Sequence, residues 1–167
     1  MRCFLCTLVL ILAVGGCRKA PETADNGDSA EISLFTFQGT PNVLKLEGEA
    51  ISISSNWKEF AQLERGFDVM FQATTKEDLI LAINDLLDSE KVLREGEYPE
   101  KFDTAKIKSR QKVFRTFLLK IKAGLANNLD VTEGLKQMLS AYNALRNQMN
   151  SIVNNTLDTE LILNESF

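Results

Sequence analysis

Four amphipathic runs dominate the alternation of apolar and polar residues along this chain. From Asn56 to Phe71, the residues Trp57, Phe60, Phe67, Met70 and Phe71 fall on one face of a helix. Asn56 is placed to cap that helix, with Glu59 reaching back as in a capping box. Gly66 lies inside it at a cost of ~1 kcal/mol against alanine, so a close neighbour is expected there. A second helix is predicted to open at Thr75, with Asp78 three residues on. Its stripe is Leu79, Ile83, Leu86 and Leu93, thickened by Ile80 and Leu87, and Gly96 and Pro99 bound its end. A third, from about Asp103 to Asn127, turns Ile107, Phe114, Leu118, Ile121 and Leu125 inward, with Val113 and Phe117 beside them. Asp130 caps a fourth, with Glu133 three on. In it Val131, Leu135, Met138, Tyr142, Leu145, Met149 and Ile152 recur at spacings of 4, 3, 4, 3, 4 and 3, the seam of left-handed bundle packing. Its outer face is rich in amides, Asn143 and Asn150 among them. This helix is predicted to fray after Asn154, leaving Leu161-Ile162-Leu163 in a tail.

Ahead of Asn56 the pattern differs. Ile32, Leu34, Phe35 and Phe37, a Gly39-Thr40-Pro41-Asn42 turn, then Val43, Leu44 and Leu46, and Ile51 and Ile53 alternating with serines, read as short strand-like runs. They are expected to form an extended arm or small hairpin packed along the helices, with partner binding by an exposed strand as the sharper alternative. Residues 18–31 are polar and aperiodic, as a flexible tether would be. Cys3 to Val14 is an apolar run of twelve residues, shorter than the ~20 needed to span a bilayer. The predicted fold is all-α. An up-down-up-down antiparallel four-helix bundle over residues 55–155 follows a tether over 17–31 and an extended or β-like arm over 32–54, and a tail over 156–167 closes it.

The apolar run follows Met1-Arg2 and precedes Val14-Gly15-Gly16-Cys17. This segment resembles the signal peptide and lipobox of bacterial lipoproteins. The two glycines leave the backbone open to a protease, and a thiol follows for thioether formation. The resemblance implies cleavage after residue 16 and acylation of Cys17. Cys3 and Cys6 would leave with residues 1–16, and Cys17 would be the one remaining cysteine, with no disulfide partner. Two or three acyl chains anchor stably, at ~0.8 kcal/mol per buried CH₂. Arg18, not aspartate, follows Cys17, which by analogy with enterobacterial lipoproteins implies the outer membrane. Asp28-Ser29-Ala30 and Asp103-Thr104-Ala105 resemble the short O-glycosylation pattern of Bacteroidetes lipoproteins, with Thr104 also placed to cap a helix.

Charge and chemistry narrow the function. The net charge is −4 and becomes −5 without Arg2, the only charge in residues 1–16, so nucleic acid is not an expected partner. The chain has no histidine, the commonest general base and a common metal ligand. Size and helix order resemble the cytochrome b562 type of bundle, but the histidine with which that family holds haem has no counterpart here. Met70, Met138 and Met149 read as core residues rather than ligands, and no metal or cofactor is expected. Phosphate-binding glycine loops and nucleophile elbows are missing, which argues against an enzyme.

The second helix is mainly acidic and the third strongly basic. Lys108, Lys112, Arg115 and Lys122 share one stripe of the third. The simple expectation is that this helix faces its acidic neighbour and otherwise meets water. The sharper one is that the stripe contacts a partner or an anionic surface. Together these features predict a lipoprotein held to the bilayer by acylated Cys17, displaying a helical module to an envelope protein. The alternative is a carrier of a small apolar ligand or cofactor within the bundle.

Overall fold

The computed structural model describes residues 34–164, the last ten of them as helix backbone alone. The lipobox, Cys17, the tether and Ser29 lie outside the described residues. Among the described residues the fold is all-α, with no strand. An extended arm, residues 34–47, leads into helices α1 (Glu49–Ser55), α2 (Lys58–Met70), α3 (Lys76–Glu95), α4 (Ala105–Ala126) and α5 (Thr132–Asn164), with a single 3-10 turn (Glu100–Phe102) between α3 and α4.

Residues 34–47 of the predicted arm contain no strand, and its last part, from Glu49, is a helix. The Ile-Ser alternation at residues 51–54 suggested a strand, yet no second strand is present among the described residues to take its backbone hydrogen bonds. A helix satisfies them internally. In α1 the buried pair is Ala50 and Ser54, four apart, and Ile51 is turned to solvent at 53% exposure. Ser54 and Ser55 hydroxyls donate back to the carbonyls of Ile51 and Ser52 at 3.0 and 3.1 Å. Asn56 consequently closes α1 instead of opening α2. Its Nδ2 donates to the Ser52 carbonyl at 2.8 Å, and α2 starts after Trp57 with no side-chain cap.

The other helix starts follow the sequence more closely. Thr75 and Asp78 form a reciprocal capping box at the head of α3. Thr104 caps α4 by accepting the Ile107 N–H at 3.3 Å. Asp130 accepts the Thr132 N–H at 2.7 Å ahead of α5. The far end of α5 departs from expectation: the helix continues through Asn164 and does not stop near Asn154.

One core joins the elements. Phe60, Leu63, Phe67 and Met70 of α2 meet the α3 stripe, and the predicted inward residues of α4 and α5 are buried against them except Ile152, which is partly buried while its neighbour Val153 is fully buried. Helices α2 and α3 pack closely at Gly66, where a Cβ would stand 2.8 Å from Leu86 Cδ2, the close neighbour its placement predicted. Helices α2 and α5 meet through large side chains. The ring of Tyr142 lies 4.1 Å from Phe67 and 5.3 Å from Phe114. Arg146 donates to Glu64 and to the Tyr142 hydroxyl oxygen, the latter at 3.2 Å. Phe71 and Val113 were expected inside, yet both are exposed, and Phe71 instead packs its ring against Phe37 of the arm at 5.4 Å. Met70, Met138 and Met149 are fully buried core residues.

The arm is held on α5 by side chains that bind its backbone. Asn143 accepts the Leu44 N–H and donates to the Asn42 carbonyl, both at 2.7 Å. Asn150 accepts the Glu47 N–H at 3.0 Å and donates to the Lys45 carbonyl at 3.1 Å. Arg146, between them, donates to the Leu44 carbonyl. At the head of α5 the Val131 N–H donates to the Leu34 carbonyl at 2.8 Å.

Candidate functional site

A polar residue interrupts the apolar stripe of each of two neighbouring helices. On α3, Glu90 stands four after Leu86 and three before Leu93. On α4, Gln111 stands four after Ile107 and three before Phe114. Helical spacing therefore turns both toward the core, and both are buried, Glu90 completely. A carboxylate there requires partners. Glu90 Oε1 accepts from Gln111 Nε2 at 3.1 Å, and Glu90 Oε2 accepts from Arg115 Nη1 at 2.6 Å. The Gln111 carbonyl in turn accepts the Tyr98 hydroxyl. Burial raises the Tyr98 phenol above its ordinary value of 10.0, so it remains a protonated donor.

This chain of hydrogen bonds ties α3 and α4 to the segment between them. That segment is anchored from below: the ring of Tyr98 packs on Trp57 at 5.1 Å, and Phe102 is fully buried 6.2 Å from the same indole. Trp57 Nε1 and Asn84 Oδ1 are buried side-chain atoms without a hydrogen-bond partner among the described residues.

Above the chain opens a cleft of about 900 Å³. Helix α3 contributes Glu90 and Arg94, the connecting segment Glu97, Tyr98 and Asp103, and α4 Lys108, Lys112, Arg115 and Leu119. Three of the four stripe cations predicted from sequence, Lys108, Lys112 and Arg115, therefore line one recess. The fourth, Lys122, is exposed further along α4, outside that lining.

The three cations differ in how far they are committed. Arg115 is bound to Glu90 yet keeps 28% of its side chain exposed. Lys108 pairs with Asp103 and lies over the Tyr98 ring at 5.0 Å. Lys112 is exposed and makes no ion pair among the described residues. The expectation that basic α4 faces acidic α3 is met by one ion pair, Arg115 with Glu90; Arg94 of α3 pairs with its own neighbour Glu95 at 3.2 Å.

Chemically, the recess offers guanidinium and ammonium donors beside a neutralised floor, with an aromatic ring and the half-exposed Leu119 as apolar surface. Among the described residues, no three histidine, cysteine, aspartate or glutamate side chains are placed to hold a metal ion. Thr104, in the short glycosylation-like pattern, has its hydroxyl engaged as the α4 cap.

Glu90, Tyr98 and Gln111 were not picked out by sequence periodicity, which sorts residues by face and so hid them. The legible signal was two polar residues seated on core stripes. No protein-family model, no curated protein and no solved structure matches the chain.

Proposed function

We propose that this protein is a lipoprotein of the bacterial envelope, anchored in the outer membrane by acylation of Cys17. Its helical domain binds another envelope macromolecule. In this reading the four long helices run up-down-up-down, the residues after Cys17 are a tether, and acyl chains confine the domain near its partner, raising the effective concentration. The lipobox supports the anchor, with Arg18 and Lys19 beside it placed to approach anionic headgroups. No helix among the described residues is long and apolar enough to cross a membrane, and attachment rests on Cys17. The role assigned is binding, with no catalytic step.

The observation that carries the binding role is the cleft between α3 and α4, where Lys108, Lys112 and Arg115 converge on one recess. Its volume also lies within the range of small-molecule sites, roughly 300–1,000 Å³, which favours a small-ligand carrier as the second reading.

Crosslinking from intact membranes separates the two. The native lipoprotein is the bait, beside Cys17→Ala and a Lys108→Glu/Lys112→Glu charge reversal. The proposal expects one stoichiometric partner, captured by the anchored native form and lost with either variant. Capture of nothing by the native form overturns it. A small molecule found by mass spectrometry in the purified protein then selects the carrier.

A further inference from the structure

Which chemical group enters the cleft follows from how its charges are already spent. Glu90 on the floor is neutralised by Arg115 and held by Gln111, so the floor presents no free anion. Asp103 is spent on Lys108. Lys112 and the exposed part of Arg115 remain, on adjacent turns of α4, while Arg94 of α3 is paired with Glu95. One turn beyond Arg115, Leu119 offers apolar surface at 45% exposure.

Resting on the reading of this recess as the binding site, we propose that it takes a carboxylate borne on a short apolar group. The carboxylate sits between Lys112 and Arg115, and the apolar part lies along Leu119. A guanidinium and an ammonium side by side match a planar anion. The carboxylate can come from a partner protein, at an acidic residue flanked by apolar ones, or from a free small acid. A flat anionic bilayer fits less well, because the cations lie within a recess.

Trp57 provides the readout, being the chain's single tryptophan and in ring contact with Tyr98 in the cleft wall. The mature acylated protein, beginning at Cys17, is placed in zwitterionic phosphatidylcholine nanodiscs and titrated with N-acetyl-leucine, with N-acetyl-leucinamide as the uncharged control. The expected result is a saturable fluorescence change with the acid and none with the amide. Lys112→Glu, an exposed position without an ion pair, weakens the acid by about tenfold, and Leu119→Asn also weakens it. Equal responses to acid and amide, or an unchanged affinity in Lys112→Glu, overturn the proposal. A response to phosphatidylglycerol vesicles with none to N-acetyl-leucine overturns it too and makes this face a membrane surface.

The peptide acetyl-Leu-Glu-Leu-amide distinguishes the sources. If it binds, a partner's acidic side chain suffices; if only the free acid binds, the source is a small acid or a chain terminus. Either result supports the carboxylate. A partner crosslinked at the cleft without carboxylate binding sinks this inference and leaves the binding-module reading standing. Carboxylate binding with no captured partner does the reverse.

Discussion

Glu90 is fully buried between two helices, and its environment accounts for the polar residues around it. Arg115 supplies the opposite charge, Gln111 a second donor, and Tyr98 completes the chain by donating to Gln111. Such a pair is weak evidence for stability as a whole, but removing one member is costly because the other is left buried and uncompensated. Arg115→Met is therefore expected to destabilise the fold by about 3 kcal/mol, the low end of the usual range because Arg115 is partly exposed. Combining it with Glu90→Leu is expected to recover most of that loss. Denaturant melts of the two singles and the double check this, and a double variant as unstable as Arg115→Met would mean that the pair does not act as a unit.

At the level of the helices and the arm, local chemistry and borrowed contacts divide the work. The caps at Asp78 and Asp130 are local. Hydrogen bonds from Thr75 pull the Asp78 carboxyl below its ordinary value of 3.8, and those from Thr132 do the same for Asp130. A depressed carboxyl contributes stability above its unfolded value and loses it as the pH falls through the folded one. Acidification below about pH 4 should then cost native stability, and Asp78→Asn/Asp130→Asn should flatten that acid limb. Thermal melts from pH 2 to 6 measure it; an acid limb as steep as in the native chain would place the titration elsewhere.

The arm, by contrast, depends on α5. Its backbone is read by Asn143, Arg146 and Asn150, which stand three and four apart and so share one face of the helix. Water can replace these partners, so Asn143→Ala/Asn150→Ala should cost only about 1 kcal/mol per lost side chain. Amide exchange at Leu44 and Glu47 should rise while that of the buried α4 residues stays as it was. A uniform rise across α4 would mean that the arm is integral to the global fold.

For the molecule as a whole, the packing of helix against helix decides the effect of substitutions that local rules misjudge. Gly66→Ala raises helix propensity by about 1 kcal/mol, yet its Cβ would stand 2.8 Å from Cδ2 of the fully buried Leu86. Overpacking of this kind costs about 1–3 kcal/mol, so the variant is expected to melt lower, not higher, than the native chain. A raised Tm would show that Leu86 finds another rotamer freely.

Much of this fold was legible from residue spacing. The stripes of α3, α4 and α5 follow from helical period, and the Thr75–Asp78 box from the geometry of a helix start, because both are set within a few residues of chain. The Lys108, Lys112 and Arg115 stripe was legible for the same reason. What a stripe faces was not. Lys122 shares the spacing of the others and still lies outside the cleft, because the recess is bounded by the 96–103 segment near the start of α4. Alternation at Ile51 and Ile53 looked like a strand, but a strand needs a partner edge, and the tertiary structure shows none among the described residues. Phe71 belonged to the α2 face by period, and the arm drew it outward to Phe37. Glu90 and Gln111 stood in plain sight on two apolar stripes. Their pairing across 21 residues of sequence arose only when α3 and α4 packed, since a buried charge is tolerated where a partner meets it and nowhere else.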